Sequence, residues 1–281
     1  MVPTPREAAA RRNARLLTAM TWILLRGLTH ESGHWGTFAG DLSSALGGER
    51  VVMVDLPGNG ALNQRRSPVT VRRLVEECRV EVERRKVHPP FDIVAMSLGA
   101  MVAVGWAALD SVELQRCVLI NTSLRPYSPF FRRLRPSNYL PLICTLIEGN
   151  AARREQLVLQ MTSNDAQAHV GVIDAWIAMR RARPVSRANA IRQLFAAARY
   201  RAPEARPHCD VLMLASTRDR LVDVRCSRAI ARAWHVPLME HASAGHDLPL
   251  DDPQWVIDRV RAWTAESACT PALLDRSSKR R

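Results

Sequence analysis

The stretch Phe91-Asp92-Ile93-Val94-Ala95-Met96-Ser97-Leu98-Gly99-Ala100-Met101 restricts this chain more than any other. An apolar run of strand length passes through one polar residue into a second run that reads as helix. The corner between them has to be tight. Ala95 and Gly99, two positions to either side of Ser97, are small where larger side chains would collide with each other or with a neighbouring strand. A serine at such a corner is aimed out of the turn. The small-x-Ser-x-Gly pattern alone is weak, so its meaning depends on what precedes and follows it.

Taken in order, short apolar runs alternate with helical patterns. Thr21 to Leu25 has the character of a strand buried on both faces, followed by a loop from Arg26 to Glu31 and a helical pattern from His34 to Leu46. A second strand, Val51 to Asp55, stops at Leu56-Pro57-Gly58-Asn59-Gly60, strong turn chemistry. A helix from about Pro68 to Val87 carries Val71, Leu74, Val75 and Cys78 on one stripe. The stretch around Ser97 supplies the third strand and a helix to Leu109, and Arg116 to Asn121 is the fourth strand.

The alternation then stops. Residues 123–208 read as helical, broken by prolines, with Val170 to Arg181 and Arg187 to Tyr200 the clearest helices. Alternation resumes with strands at Asp210 to Ala215 and Pro237 to Glu240 and helices at Arg225 to Trp234 and Pro253 to Thr264. Repeated strand–helix units predict an α/β fold, a mostly parallel sheet with helices on both faces. The expected division is a core of residues 19–122 and 209–267, a helical cap of 123–208, an N-terminal segment of 1–18 and a disordered tail of 268–281.

Of 281 residues, enough for a full hydrophobic core, none form an apolar run long enough to span a membrane. Arginines ahead of Leu16 to Leu25 superficially resemble a signal peptide, but no small-residue cleavage site follows, and the run is read as a strand. The six cysteines are scattered with no metal-ligand or redox spacing, so reduced core thiols and a cytoplasmic location are expected. The formal net charge of +13 invites a nucleic-acid partner, yet the basic residues are arginines throughout except Lys86 and Lys279, they interleave with acids, and no binding motif accompanies them. No nucleic acid is expected as a partner.

A serine hydroxyl is a weak nucleophile unless a histidine takes its proton and a carboxylate holds that histidine in the right tautomer. After the late strand comes Ser216-Thr217-Arg218-Asp219, and after the last strand Ala244-Gly245-His246-Asp247. Both loops lie at the carboxyl ends of strands, where ligands bind in such sheets. Asp223 competes with Asp219 for the role of acid, and His241 with His246 for that of base, although His241 falls close to the strand. Asn121-Thr122-Ser123 offers no acid after the fourth strand.

The chain from about Trp22 to Trp263 resembles the α/β-hydrolase superfamily through Ala95-Met96-Ser97-Leu98-Gly99, the Asp219 loop, Gly245-His246 and the segment Asp55-Leu56-Pro57-Gly58-Asn59-Gly60, which is similar to that family's Asp-x-Pro-Gly-x-Gly loop. The resemblance implies an α/β-hydrolase fold with a small helical cap. It implies Ser97, Asp219 and His246 as catalytic residues, and the backbone N–H groups of Leu98 and Leu28 as an oxyanion hole. Two departures stand out: Ala95 replaces the usual first glycine, and Arg26-Gly27 replaces the usual His-Gly. Arg26 could bind a substrate carboxylate or pair with an acid such as Glu31. Asp55 is expected to close the Pro-Gly turn.

The resemblance further implies cleavage of carboxylic esters through an acyl-serine, with no cofactor and no metal. A serine nucleophile argues against the branches of the superfamily that use aspartate. The alternatives are a thioesterase or acyltransferase acting on carrier-bound acyl chains and a catalytically silent binding protein. Leu142, Ile143, Leu146, Ile147, Val172, Ile173, Trp176 and Ile177 could line an acyl pocket or simply pack the cap, the preferred reading for most of them. Arg132, Arg133 and Arg135 could dock an acidic acyl carrier protein or a phosphopantetheine arm, or form a solvated face.

Overall fold

The computed structural model describes residues 20–110, 112–165 and 170–269. Its centre is a six-stranded sheet built from β1 (Thr21–Leu25), β2 (Arg50–Val54), β3 (Phe91–Met96), β4 (Leu114–Ile120), β5 (Asp210–Ser216) and β6 (Leu238–His241). The strands lie in the order β2-β1-β3-β4-β5-β6, and every pairing is parallel. All six carboxyl ends therefore emerge along one edge. The chain runs from β1 outward to β2, then returns to place β3 on the other side of β1. That reversal opens a crevice above β1 and β3, the place where parallel sheets receive ligands.

Alternate side chains of each strand enter two apolar layers. Ile23, Leu25, Ile93, Ala95 and Leu119 face α2 (Val71–Arg84), α3 (Leu98–Leu109) and α9 (Arg225–Trp234). Trp22, Leu24, Val94, Met96 and Ile120 face α1 (Phe38–Ala45) and α11 (Pro253–Cys269). Strands sandwiched this way lose their alternation of polar and apolar residues, which is why they read as continuous apolar runs. The expected stripe on α2 is buried, and Thr70 caps that helix by accepting from the Arg73 N–H.

Between β4 and β5 the chain forms α4 (Phe130–Arg133), α5 (Tyr139–Ile147), α6 (Ala151–Thr162), α7 (Val170–Ala182) and α8 (Arg187–Arg199). A small cluster of Val158, Leu159 and Trp176 joins α6 to α7, with Val172 and Ile173 against it. Several polar attachments hold this segment to the sheet edge. Fully buried Gln193 on α8 donates to Asn59 Oδ1 and accepts from the Thr29 N–H, while Asn189 binds the chain around Ser67. At the end of α6, Thr162 O accepts from the Asp247 N–H at 2.8 Å.

Two local expectations differ. The helix expected from His34 to Leu46 is a 3₁₀ turn, Ser32–Trp35, followed by α1, because Gly36 at φ 53° breaks the run. A short helix, α10 (Leu248–Asp251), precedes α11, which runs on to Cys269 past the expected end at Thr264. The expected N-terminal segment of 1–18 and most of the expected tail lie outside the described residues. No described helix is long and apolar enough to cross a membrane.

Candidate active site

The turn after β3 carries Ser97 at φ 53°, ψ −116°, a conformation that costs an L-residue energy and has to be held by its surroundings. The holding groups are close by. The Ser97 N–H donates to Ile120 O at 3.0 Å, and Thr122 Oγ1 donates to Ser97 O at 3.1 Å. Gly99 is required because a Cβ there would come within 2.6 Å of the carbonyl oxygens of Leu25 and Arg26. Ala95 is fully buried within β3, so its methyl group is accommodated where the motif usually has glycine.

His246 lies in the loop after β6 and Asp219 in the loop after β5. His246 Nδ1 meets Asp219 Oδ2 at 2.7 Å, and both side chains are buried. The other oxygen of Asp219 accepts from the N–H groups of Leu221 and Val222 at 2.7 and 2.9 Å, fixing the carboxylate in place. With Nδ1 donating to the carboxylate, the tautomer assigned to His246 presents Nε2 as the free acceptor.

The rival residues are engaged elsewhere. Both oxygens of Asp223 accept from Arg225, whose hydrogen bonds outweigh desolvation and lower the Asp223 carboxyl to about 2. His241 Nε2 lies 3.1 Å from Asp252, and its Nδ1 accepts from the Ala244 N–H. Asp55 receives the Ser32 and Ala61 N–H groups and so closes the Pro-Gly turn.

Ser97 and His246 line one cavity of about 380 Å³, together with Gly27, Leu28 and Leu98. The His30 N–H donates to Gly27 O, which directs the N–H of the same trans peptide, that of Leu28, the opposite way. His30 Nδ1 lies 3.0 Å from Leu28 O, so its Nε2 is an acceptor, enclosed and without a partner among the described residues. Burial, followed by the charge of Arg26, lowers His30 from the usual 6.5 to about 3. His34, packed against His30 and Trp176, is likewise held well below its ordinary value by burial and then by His30.

Arg26 pairs with Asp247, not with Glu31. Its two terminal nitrogens meet the two carboxylate oxygens at 3.0 and 2.5 Å, with the side chains 3% and 1% exposed, and its guanidinium also lies over the Trp35 ring. Burial would raise the Asp247 carboxyl, but the charge and hydrogen bonds of Arg26 prevail and hold it below the usual range. Glu31 pairs with Arg183 instead. The Arg26–Asp247 pair joins the loop that carries Leu28 to the loop that carries His246.

Two positions in this framework give no motif in the sequence. Asn121 donates to His246 O at 2.8 Å and accepts from the Ser216 N–H at 2.8 Å, bracing three strand ends. Asn164 donates to Arg218 O and Ser243 O, bridging the loops that carry Asp219 and His246. Asparagine in a loop gives no signal that separates such a brace from an ordinary turn.

Of the apolar residues considered for an acyl pocket, Leu142 and Leu146 line the cavity. Ile143 and Ile147 point to solvent, 53% and 65% exposed, and Trp176, Val172 and Ile173 pack α6 against α7. Arg133 is not available for surface docking. It is buried, and its terminal nitrogens donate to Ala197 O and Ala198 O, capping the last turn of α8. Cys117 and Cys209, 92 positions apart, have their sulfurs 3.4 Å apart as free thiols in the core. Among the described residues no group of histidine, cysteine and carboxylate side chains could hold a metal ion.

The fold is that of the α/β hydrolases, a parallel sheet wound on both sides with its candidate residues on the loops at one edge. Residues 22–259 match the profile of the alpha/beta hydrolase family, and the chain belongs to that family. No curated protein matches the sequence. Among solved structures, the chain is similar to a thermophilic esterase from Thermogutta terrifontis, with a TM-score of 0.70 and 19% identity over 89% of this chain and 90% of that one. It is also similar to the enol-lactonase from Burkholderia xenovorans LB400, with a TM-score of 0.71 and 17% identity over 88% of this chain and 92% of that one. The esterase RhEst1 from Rhodococcus sp. ECU1013 has a TM-score of 0.70 and 17% identity, over 88% of this chain and 90% of that one. At these identities the likeness is one of fold.

Proposed function

We propose that the protein is a serine hydrolase that cleaves carboxylic esters through an acyl-serine, with Ser97 as nucleophile, His246 as base and Asp219 as its orienting acid. The observation that carries this reading is the convergence of two features in one cavity wall: Ser97 on a strained corner, and His246 held by Asp219 at 2.7 Å. Ser97 Oγ attacks the ester carbonyl carbon while His246 Nε2 takes its proton. The N–H groups of Leu28 and Leu98 receive the negative charge that develops on the carbonyl oxygen. Collapse breaks the carbon–oxygen bond to the alcohol, which leaves with the proton held by His246. Water, deprotonated by the same nitrogen, then attacks the acyl-serine and releases the acid and the free serine. Arg26 and Asp247 act as positioning residues that keep the donor loop and the histidine loop at a fixed separation.

The test is labelling by a fluorophosphonate together with hydrolysis of p-nitrophenyl esters of graded chain length. The intact protein is expected to take up the label, and Ser97→Ala to lose both the label and roughly 10⁴-fold or more of its esterase activity. Undiminished labelling of Ser97→Ala, or no label on the intact protein, would overturn the mechanism. Acyl-thioesters run in parallel decide between ester hydrolysis and a thioesterase or acyltransferase acting on carrier-bound chains. Cleavage of thioesters alone would replace the ester reading.

A further inference from the structure

The wall of the cavity formed by the helical segment is not electrically neutral. Arg154 on α6, Arg180 on α7 and Arg187 at the start of α8 line the same space as Ser97 and His246. Arg180 is committed to buried Glu155, Nε to Oε1 at 2.6 Å. Arg154 and Arg187 have no carboxylate in contact among the described residues. Each gives one terminal nitrogen to a carbonyl at the end of α5: Arg154 to Glu148 O at 2.9 Å and Arg187 to Ile147 O at 2.7 Å. A guanidinium has five N–H donors, so both keep donors in reserve. Arg154 Nε is enclosed and has no partner among the described residues.

The local charges do not balance. Burial and then the charge of Arg180 lower Arg154 from its ordinary value, with Arg187 acting in the same sense and Glu155 and Glu148 opposing. Arg180 is paired with Glu155, while Arg133, Arg154 and Arg187 have no carboxylate in contact among the described residues, so this wall carries an excess of positive charge. The rest of the wall here is largely apolar, with Leu142, Leu146, Val158 and Leu194 among its residues. A half-buried cation without a matching anion is unfavourable in such surroundings, and an incoming oxyanion would relieve it.

We propose that the cavity binds an acyl chain ending in a carboxylate, with the carboxylate held by Arg154 and, at the rim, Arg187, and the ester carbonyl at Ser97. This rests on the hydrolase reading and adds the substrate class to it. The planar guanidinium fork matches carboxylate geometry, and a phosphonate of equal chain length is the competing anion that the test includes.

The test compares p-nitrophenyl esters of ω-carboxyalkanoic acids, ω-phosphonoalkanoic acids and plain alkanoic acids of equal length on the full chain. The intact protein should favour the ω-carboxy ester over the plain ester by roughly 10- to 100-fold in kcat/KM. Arg154→Met should bring that ratio to within about threefold of one, chiefly through KM, and Arg154→Lys should keep part of it. Because both esters are read on each variant, the ratio is independent of how much of the variant folds. A preference for the plain ester, a ratio unmoved by Arg154→Met, or a preference for the phosphono ester would each overturn the carboxylate site. The hydrolase reading is kept separate by calorimetry on Ser97→Ala. A dicarboxylic acid monoamide should bind it at least tenfold more tightly than the plain fatty amide, and equal binding would count against the site whether or not esters are turned over.

Discussion

The loops at the sheet edge and the inner face of the helical segment border the same cavity but are built on opposite terms. At the edge, the groups around Ser97 and His246 are largely matched, His30 Nε2 and Arg26 Nε excepted. Asp219 has His246 and two N–H donors, Asn121 has His246 O and Ser216, and Arg26 has both oxygens of Asp247. On the helical face, Arg154 and Arg187 have only helix-end carbonyls, and donors are left over. Groups that perform a reaction gain from being fixed before the substrate arrives, because no reorganisation is then required in the transition state. Groups that recognise a substrate have to remain unpaired until it binds. The contrast divides mutations into those that loosen a preset geometry and those that change what the cavity accepts.

The largest effect is expected from loosening the edge at its most constrained point. Asp219→Asn preserves the shape but lets the amide accept or donate, so His246 can adopt the wrong tautomer. Esterase kcat should fall by about 10⁴-fold while the thermal midpoint stays close to that of the parent. A loss below tenfold would mean that another group orients His246, and Asp223→Asn would then be the variant to measure.

Next comes the Arg26–Asp247 pair. Removing one partner strands a buried charge, so Arg26→Met or Asp247→Asn should cost about 3–5 kcal/mol in urea unfolding. The double variant Arg26→Met/Asp247→Leu should recover most of that stability, as apolar replacements of buried ion pairs often do. Its esterase activity should stay depressed, because the tie between the Leu28 loop and the His246 loop is still missing. Full recovery of activity in the double variant would reduce the pair to a packing element.

The same contrast decides what could be read from sequence. The corner at Ser97 is a local event, set by Ala95, Gly99 and the apolar runs around them, and its strand and helix bounds coincide with β3 and α3. The order of Ser97, Asp219 and His246 along a parallel sheet placed all three on one edge. Arg26 and Asp247 each adjoin an expected site residue, yet their pairing spans 221 positions and leaves no local pattern. The place of Arg133 is hidden in the sequence for a related reason. In sequence it is one arginine in a basic cluster, and only the approach of α8 turns it into a buried helix cap. The interruption at Gly36 leaves no mark in the pattern because apolar spacing continues through it, while its positive φ is a backbone property.

A further effect concerns acid. His30 stays neutral in the fold down to about pH 3, whereas in the unfolded chain it takes up a proton near pH 6.5, and His34 shifts in the same direction. Below 6.5 the unfolded state therefore holds more protons, so folding stability declines as pH falls towards about 3, by up to about 1.4 kcal/mol per pH unit for His30. Urea unfolding of His30→Asn across this window should give a flatter profile than the parent, and an unchanged slope would show that other groups govern acid sensitivity.

The smallest expected effect lies where the two regions are joined. Gln193 is a residue of the helical segment, yet it is matched in the manner of the edge, with Asn59, Ser67 and the Thr29 N–H around its amide. Gln193→Leu keeps the bulk and removes the hydrogen bonds, leaving a half-buried backbone N–H at Thr29 and the buried amide oxygen of Asn59 without these partners. Such a change typically costs about 1–3 kcal/mol. Thr29 adjoins Leu28, so a modest fall in kcat with little change in KM should accompany the loss of stability. A change in KM alone would instead place Gln193 with the recognition face, and the division between the two regions would then fall at α8 rather than at the sheet edge.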